Sequence, residues 1–167
     1  MYMKQRILSL LVDNTSGVLS RVSGLFSRRG YNIDSLTVGV TADPRYSRMT
    51  VVASGDDQVL EQITKQLSKL VDVIDIKVLK PEERVTRELI MVKIGANAEE
   101  RQNIISIAGI FRAKIVDVGV ESLIIELTGA KSKLDAFLKL LEDYEILELA
   151  RTGITGLSRG KEDVRYL

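Results

Sequence analysis

The sequence contains no cysteine, no histidine and no tryptophan, and only two prolines, five tyrosines and three phenylalanines in 167 residues. Without cysteine there is no disulfide framework, no thiolate nucleophile and no cysteine metal site, and nothing points to an oxidising compartment. Without histidine the chain lacks the side chain that titrates nearest neutral pH and the commonest metal ligand. An enzymatic reading would have to rest on lysine or carboxylate chemistry. The 23 acidic residues fall mainly at turns and on the polar faces of predicted helices, where solvated charge accounts for them. No catalytic residue and no metal ligand is therefore assigned. No apolar run approaches the roughly 18 residues of a membrane span, and Met1 to Arg6 leads into a strand pattern, not a signal peptide. With 24 basic residues against 23 acidic, no net field draws the molecule to nucleic acid or to a membrane surface. The expectation is a cytoplasmic protein with a hydrophobic core.

What is present is one pattern, twice. Ile7-Leu8-Ser9-Leu10-Leu11-Val12 is a nearly continuous apolar run suited to a buried strand, and Asp13 to Gly17 supplies turn residues after it. Val18, Leu19, Val22, Leu25 and Phe26 recur at helical spacing, and Arg28-Arg29-Gly30 closes that helix with basic residues and a C-cap glycine. Ile33, Leu36, Val38 and Val40 predict a second strand, Asp43-Pro44 a turn, and Met49 to Ala53 a third. Leu60, Ile63, Leu67 and Leu70 predict a second helix, and Val71 to Val78 alternates as a half-buried fourth strand does.

Lys80-Pro81-Glu82-Glu83 breaks the pattern and a second copy follows. Leu89 to Ile94 predicts a strand; Ile104, Ile107, Gly109, Ile110 and Phe111 repeat the spacing of Leu19, Val22, Gly24, Leu25 and Phe26. Ile115 to Val118 and Leu123 to Leu127 form a hairpin about a tight turn at Gly119 to Ser122, Leu134, Phe137 and Leu141 a helix, and Ile146 to Ala150 a last strand. The fold class is α+β, two tandem ferredoxin-like βαββαβ units, each an antiparallel sheet with its helices on one face. The expected divisions are 1–80 for the first unit, 81–84 for a linker and 85–167 for the second unit with a Gly/Arg-containing tail. Each unit leaves a sheet face and an edge strand to be covered, so a homodimer or larger assembly is expected.

Three segments are candidates for function. Asn14, Thr15, Ser16, Gly17 and Val18 lie where a strand ends and a helix begins. An N-cap and a tight turn explain those residue types. The same segment also offers helix-terminal N–H groups to a carboxylate, with the Asn14 amide for an ammonium or carboxylate. Asn32 and Ile33 follow the glycine turn, with the Asn32 amide either a turn residue or turned to a ligand. The corresponding stretches of the second copy, Gly95 to Glu99 and Arg112 to Ile115, have neither an Asn-x-x-Gly linker nor a Gly-Tyr-Asn turn, so the fold alone does not demand those motifs. The third segment, Arg151 to Gly160, lacks phosphate-loop spacing and reads either as a flexible tail or as a partner-docking segment.

The run Leu25-Phe26-Ser27-Arg28-Arg29-Gly30-Tyr31-Asn32-Ile33-Asp34-Ser35-Leu36, with Asp43-Pro44 and Ser47-Arg48-Met49-Thr50, resembles the small regulatory subunits of acetolactate synthase (acetohydroxyacid synthase). The likeness extends through Lys69 to Val73, Arg87 to Lys93, Lys133 to Phe137, Ala150 to Gly153 and Gly156 to Gly160, and so covers essentially the whole chain. It implies an N-terminal ACT domain that pairs across chains and binds a feedback amino acid, usually valine. The ligand would lie between the linker of one chain and the second strand of its neighbour. Asn14, Gly17 and Asn32 are the matching positions, with Thr15, Ser16, Val18 and Ile33 beside them. The resemblance also implies a large catalytic subunit as partner. That partner would carry thiamine diphosphate, magnesium and FAD, leaving no cofactor in this chain. The alternatives are a stand-alone amino-acid sensor acting on another protein and an RNA-binding module; the latter lacks stacking aromatics on Thr50 to Ala53 and Ile124 to Leu127.

Overall fold

The computed structural model describes residues 3–161. The described residues form two compact units, 3–85 with 154–161, and Thr86–Gly153. The first contains β1 (Lys4–Asp13), α1 (Val18–Arg29), β2 (Ile33–Val40), β3 (Tyr46–Gly55), α2 (Asp57–Ser68) and β4 (Val73–Val78). Its sheet order is β2-β3-β1-β4 with every neighbouring pair antiparallel, as a ferredoxin-like unit requires. The second repeats the order as β6-β7-β5-β8, built from β5 (Arg84–Gly95), α3 (Ala98–Ile110), β6 (Lys114–Val118), β7 (Ser122–Gly129), α4 (Lys131–Leu140) and β8 (Glu145–Arg151). Pro81–Glu83 is a short 3₁₀ turn that belongs to the first unit, which runs on to Val85, so 81–84 is not a linker and the first unit does not end at residue 80.

Period-2 alternation decides which face each strand residue serves. Leu8, Leu10 and Val12 of β1 and Met49, Val51 and Ala53 of β3 pack against Val18, Val22, Leu25 and Phe26 of α1 and Leu60, Ile63 and Leu67 of α2. Ile90, Val92 and Ile94 of β5 meet Leu123, Ile125 and Leu127 of β7 under Ile104 and Ala108 of α3 and Leu134 and Phe137 of α4. Phe26 and Phe137 are each almost fully buried, and removing a side chain of that size from water stabilises by roughly 1.5–3 kcal/mol.

Both first helices end alike. Gly30 takes a left-handed φ of 69°, with Tyr31 N–H donating to Phe26 O at 2.9 Å and Gly30 N–H to Ser27 O at 3.2 Å. Arg112 takes the same place with φ 56°, and Ala113 N–H reaches Ala108 O at 2.9 Å. The turn geometry belongs to the repeat; only the first copy gives it to glycine.

The stretch read as a tail does not extend the second unit. Residues 154–161 pack on the first, and β9 (Thr155–Ser158) pairs with β5, whose opening residues Arg84 and Val85 also belong there. Ile154 is buried with Ile7, Val52 and Leu79 on the sheet face away from the helices. Ser35 Oγ accepts from Ile154 N–H at 2.9 Å and Thr37 Oγ1 donates to Ile154 O at 3.1 Å; Arg159 N–H donates to Glu83 O at 2.7 Å. The boundary thus differs from the 85–167 expected. The buried Ile154 with its two satisfied backbone groups and the pairing of β9 with β5 together hold the segment there, because the outer face of β1 and β3 is itself apolar at Ile7 and Val52.

Candidate functional site

The segment after β1 is held from three sides. Asp13 N–H donates to Asp72 O at 3.0 Å, Asn14 N–H to Arg45 O at 2.8 Å, and Asn14 Nδ2 to Pro44 O at 2.9 Å. Asn14 therefore ties the end of β1 to the loop between β2 and β3 and does not cap α1, a role its residue type had allowed. The N-cap is Gly17, at φ 86°, and no side chain caps the helix. The first intrahelical bond is Arg21 N–H to Gly17 O at 2.9 Å, which leaves the N–H groups of Gly17 to Ser20 ahead of the hydrogen-bond ladder. The first turn carries no acidic residue. Thr15 and Ser16 are exposed and Val18 is buried, so the loop is anchored at its ends and open between them.

Sequence reasoning missed Arg21. Its Nε and Nη2 grip the Asp72 carboxylate at 2.5 and 3.1 Å, while Nη1 lies 2.8 Å from where a Cβ at position 17 would stand. The hydrogen bonds to Asp72 hold the guanidinium above its ordinary pKa, and those from Arg21 hold Asp72 below the usual carboxylate range. The only local signal was an arginine four residues after Gly17; its partner is 51 residues further on. A fixed cation beside a helix N-terminus without acid or side-chain cap suits an anion such as a carboxylate.

Asn32 and Ile33 lie elsewhere. Asp13 pairs with Tyr46 at one end of β3, whereas Ile33 pairs with Ala53 towards the other, seven positions along that strand, or about 23 Å at the usual strand rise. Ile33 packs against the core and Asn32 is exposed, with its Nδ2 donating to Asp34 Oδ1 at 2.7 Å. The structure thus brings Asn14, Thr15, Ser16, Gly17 and Val18 together and places Asn32 and Ile33 at the opposite end of the same sheet. One chain cannot close these two groups on one small ligand.

The second unit treats the equivalent loop differently. Asn97 caps α3, with Glu100 N–H donating to Asn97 Oδ1 at 2.8 Å and Asn97 N–H to Glu100 Oε1 at 3.2 Å, so two N-terminal donors are satisfied within the chain. Glu99 and Glu100 occupy its first turn. That terminus does not favour an anion. Among the described residues, no group of three or more carboxylates is placed to hold a metal ion.

Similarity to known proteins follows the same division. Residues 8–75 match the model of the AHAS small subunit-like ACT domain, and residues 87–160 match that of the small subunit of acetolactate synthase. The chain is 56% identical over 155 residues to a probable acetolactate synthase small subunit of Methanothermobacter thermautotrophicus, covering 92% of each sequence. It is 51% identical over 162 residues to the isozyme 3 small subunit of Salmonella typhimurium, covering 96% of this chain and 99% of that one. The crystal structure of the acetolactate synthase small subunit from Thermotoga maritima superposes with a TM-score of 0.88 at 44% identity, covering 95% of this chain and 99% of that one. With both units matched and the loop geometry confined to the first, the chain belongs to the family of acetolactate synthase small subunits, the regulatory subunits of that enzyme.

Proposed function

We propose that this chain binds the large catalytic subunit of acetolactate synthase, raises its activity and makes it sensitive to feedback inhibition by valine, acting in the cytoplasm in branched-chain amino-acid synthesis. Thiamine diphosphate, magnesium and FAD are assigned to the large subunit. The observation that carries the effector site is the separation of its two halves along β2. That strand is a sheet edge, with Val38 and Val40 exposed. Antiparallel pairing of β2 with its copy sets the end of one β2 beside the start of the other, because antiparallel neighbours run in opposite senses. The Asn14–Val18 loop of one protomer then faces Asn32 and Ile33 of its partner, and a dimer has two such sites. The ligand's carboxylate meets the α1 N-terminus, the Val18 N–H included, and Arg21, its ammonium meets the asparagine amides, and its side chain meets the half-buried Ile33. Valine regulates by linkage: it shifts the assembly only by its difference in affinity between two states.

Co-purification with the large subunit tests the partnership, and pyruvate turnover with and without valine tests the regulation. A reconstituted enzyme that valine leaves unaffected overturns the effector assignment; failure to bind the large subunit overturns the partner assignment. Mixing chains tests the shared site. Asn14→Ala and Asn32→Ala chains each form dimers lacking both intact sites, whereas a mixed dimer carries one site with both asparagines. Valine binding should return on mixing; if it does not, the site is not shared across protomers.

A further inference from the structure

Asp34 sits at the irregularity in the β2–β3 ladder, between Ile33 opposite Ala53 and Ser35 opposite Val52. An extra residue at such a bulge leaves the ladder and its side chain is re-aimed. The Asp34 carboxylate accepts from three side chains: Asn32 Nδ2 at 2.7 Å, Gln5 Nε2 at 3.1 Å, and Ser54 Oγ through a short hydrogen bond. Gln5 and Ser54 face each other in register on β1 and β3. Asp34 is thus held by the body of the sheet, and it in turn holds Asn32.

This arrangement fixes which end of the Asn32 amide is free. A carboxylate only accepts, so the nitrogen must face Asp34 and the carbonyl oxygen is left without a donor among the described residues. The same logic applies to Asn14, whose nitrogen faces the Pro44 carbonyl. Both amides offer oxygen, and oxygen selects a donor. Building on the effector site proposed above, we infer that Asp34 is a positioning residue that commits Asn32 to the ligand's ammonium, so that the site discriminates a 2-amino acid from the 2-oxo acid of the same carbon skeleton. The oxo acid has the carboxylate and the branched side chain but would bring a carbonyl oxygen against an amide oxygen, leaving two acceptors with no proton between them.

The test is calorimetric titration of the full chain with L-valine and with 3-methyl-2-oxobutanoate, in the parent protein, Asp34→Asn and Asp34→Glu. The parent should bind valine at least about tenfold tighter than the oxo acid, as expected for a hydrogen bond to a charged group. In Asp34→Asn the Asn32 amide is free to turn, so valine should weaken about tenfold while the oxo acid does not, and the ratio collapses towards one. Asp34→Glu still accepts from Asn32 and should restore part of the ratio. Equal weakening of both ligands in Asp34→Asn would mark Asp34 as merely structural and overturn the inference, as would an unchanged ratio. A parent chain that binds neither ligand would remove the effector site itself and this assignment with it.

Discussion

The two units share a topology, a helix C-terminus and a core, and differ where the first helix begins. In the second unit Asn97 and Glu100 close the N-terminus of α3 on itself, with two carboxylates in the first turn. In the first, Gly17 stands in the left-handed region, no side chain caps α1, and a guanidinium takes the space beside it. A helix N-terminus can be satisfied from within the chain or left available, and the two units take opposite courses. Strand ties differ as well. The second unit anchors β8 through Arg151, which pairs with the buried Glu88 at 2.8 and 3.0 Å and with Asp135 at 3.0 Å. The first ties its sheet together without a buried carboxylate, having Ser9, Ser47 and Thr50 as its buried polar side chains among the described residues.

The comparison can be broken at several points. The largest effect is expected for Arg151→Met, which leaves Glu88 buried without its cation and should cost the second unit on the order of 3 kcal/mol. Urea unfolding should then resolve a weakened second unit while valine affinity at the first stays put; a parallel fall in affinity would mean that the units are not separable. Next come the two loops. Asn14→Ala and Asn32→Ala should weaken valine binding roughly ten- to a hundredfold, the range for losing a hydrogen bond to a charged group. Asn97→Ala should leave binding unchanged and lower stability by about 1 kcal/mol, the usual cost of a lost cap. Asn14→Asp sharpens the contrast, because a carboxylate cannot donate to the Pro44 carbonyl and the loop after β1 loses that tie. If Asn97→Ala impairs valine binding as much as Asn14→Ala, the two helix starts do not differ in function. The smallest effect is expected for Arg112→Gly. Relieving a non-glycine residue from φ 56° should raise the melting temperature by the equivalent of roughly 1 kcal/mol, and an unchanged or lower value would refute a shared C-cap.

Much of this was legible because the signals were local. Continuous apolar runs mark β1 and β5, helical spacing marks α1 to α4, and Gly30 followed by Tyr31 marks the helix end the repeat requires. Asn14, Gly17 and Asn32 could be singled out by comparing the two copies. What the sequence hid depended on distance along the chain. Asn14 looks like a cap, yet its acceptor is the Pro44 carbonyl 30 residues away, and register alone shows that Asn14 and Asn32 stand at opposite sheet ends. Arg21 and Asp72 each read as surface charges until folding joins them. The segment after Gly153 carries little hydrophobicity, and the pocket that receives Ile154 is assembled from β1, β3 and the stretch after β4.

That last contact reorders the molecule in time. The first unit claims residues on both sides of the second, so Thr86–Gly153 is an insertion within it and not an appendage after it. During synthesis the chain emerges from its amino end, and the second unit has all its residues before the first receives Ile154. A stop codon at position 154 would look like the trimming of a tail but would leave the second unit whole and strip the outer face of the first.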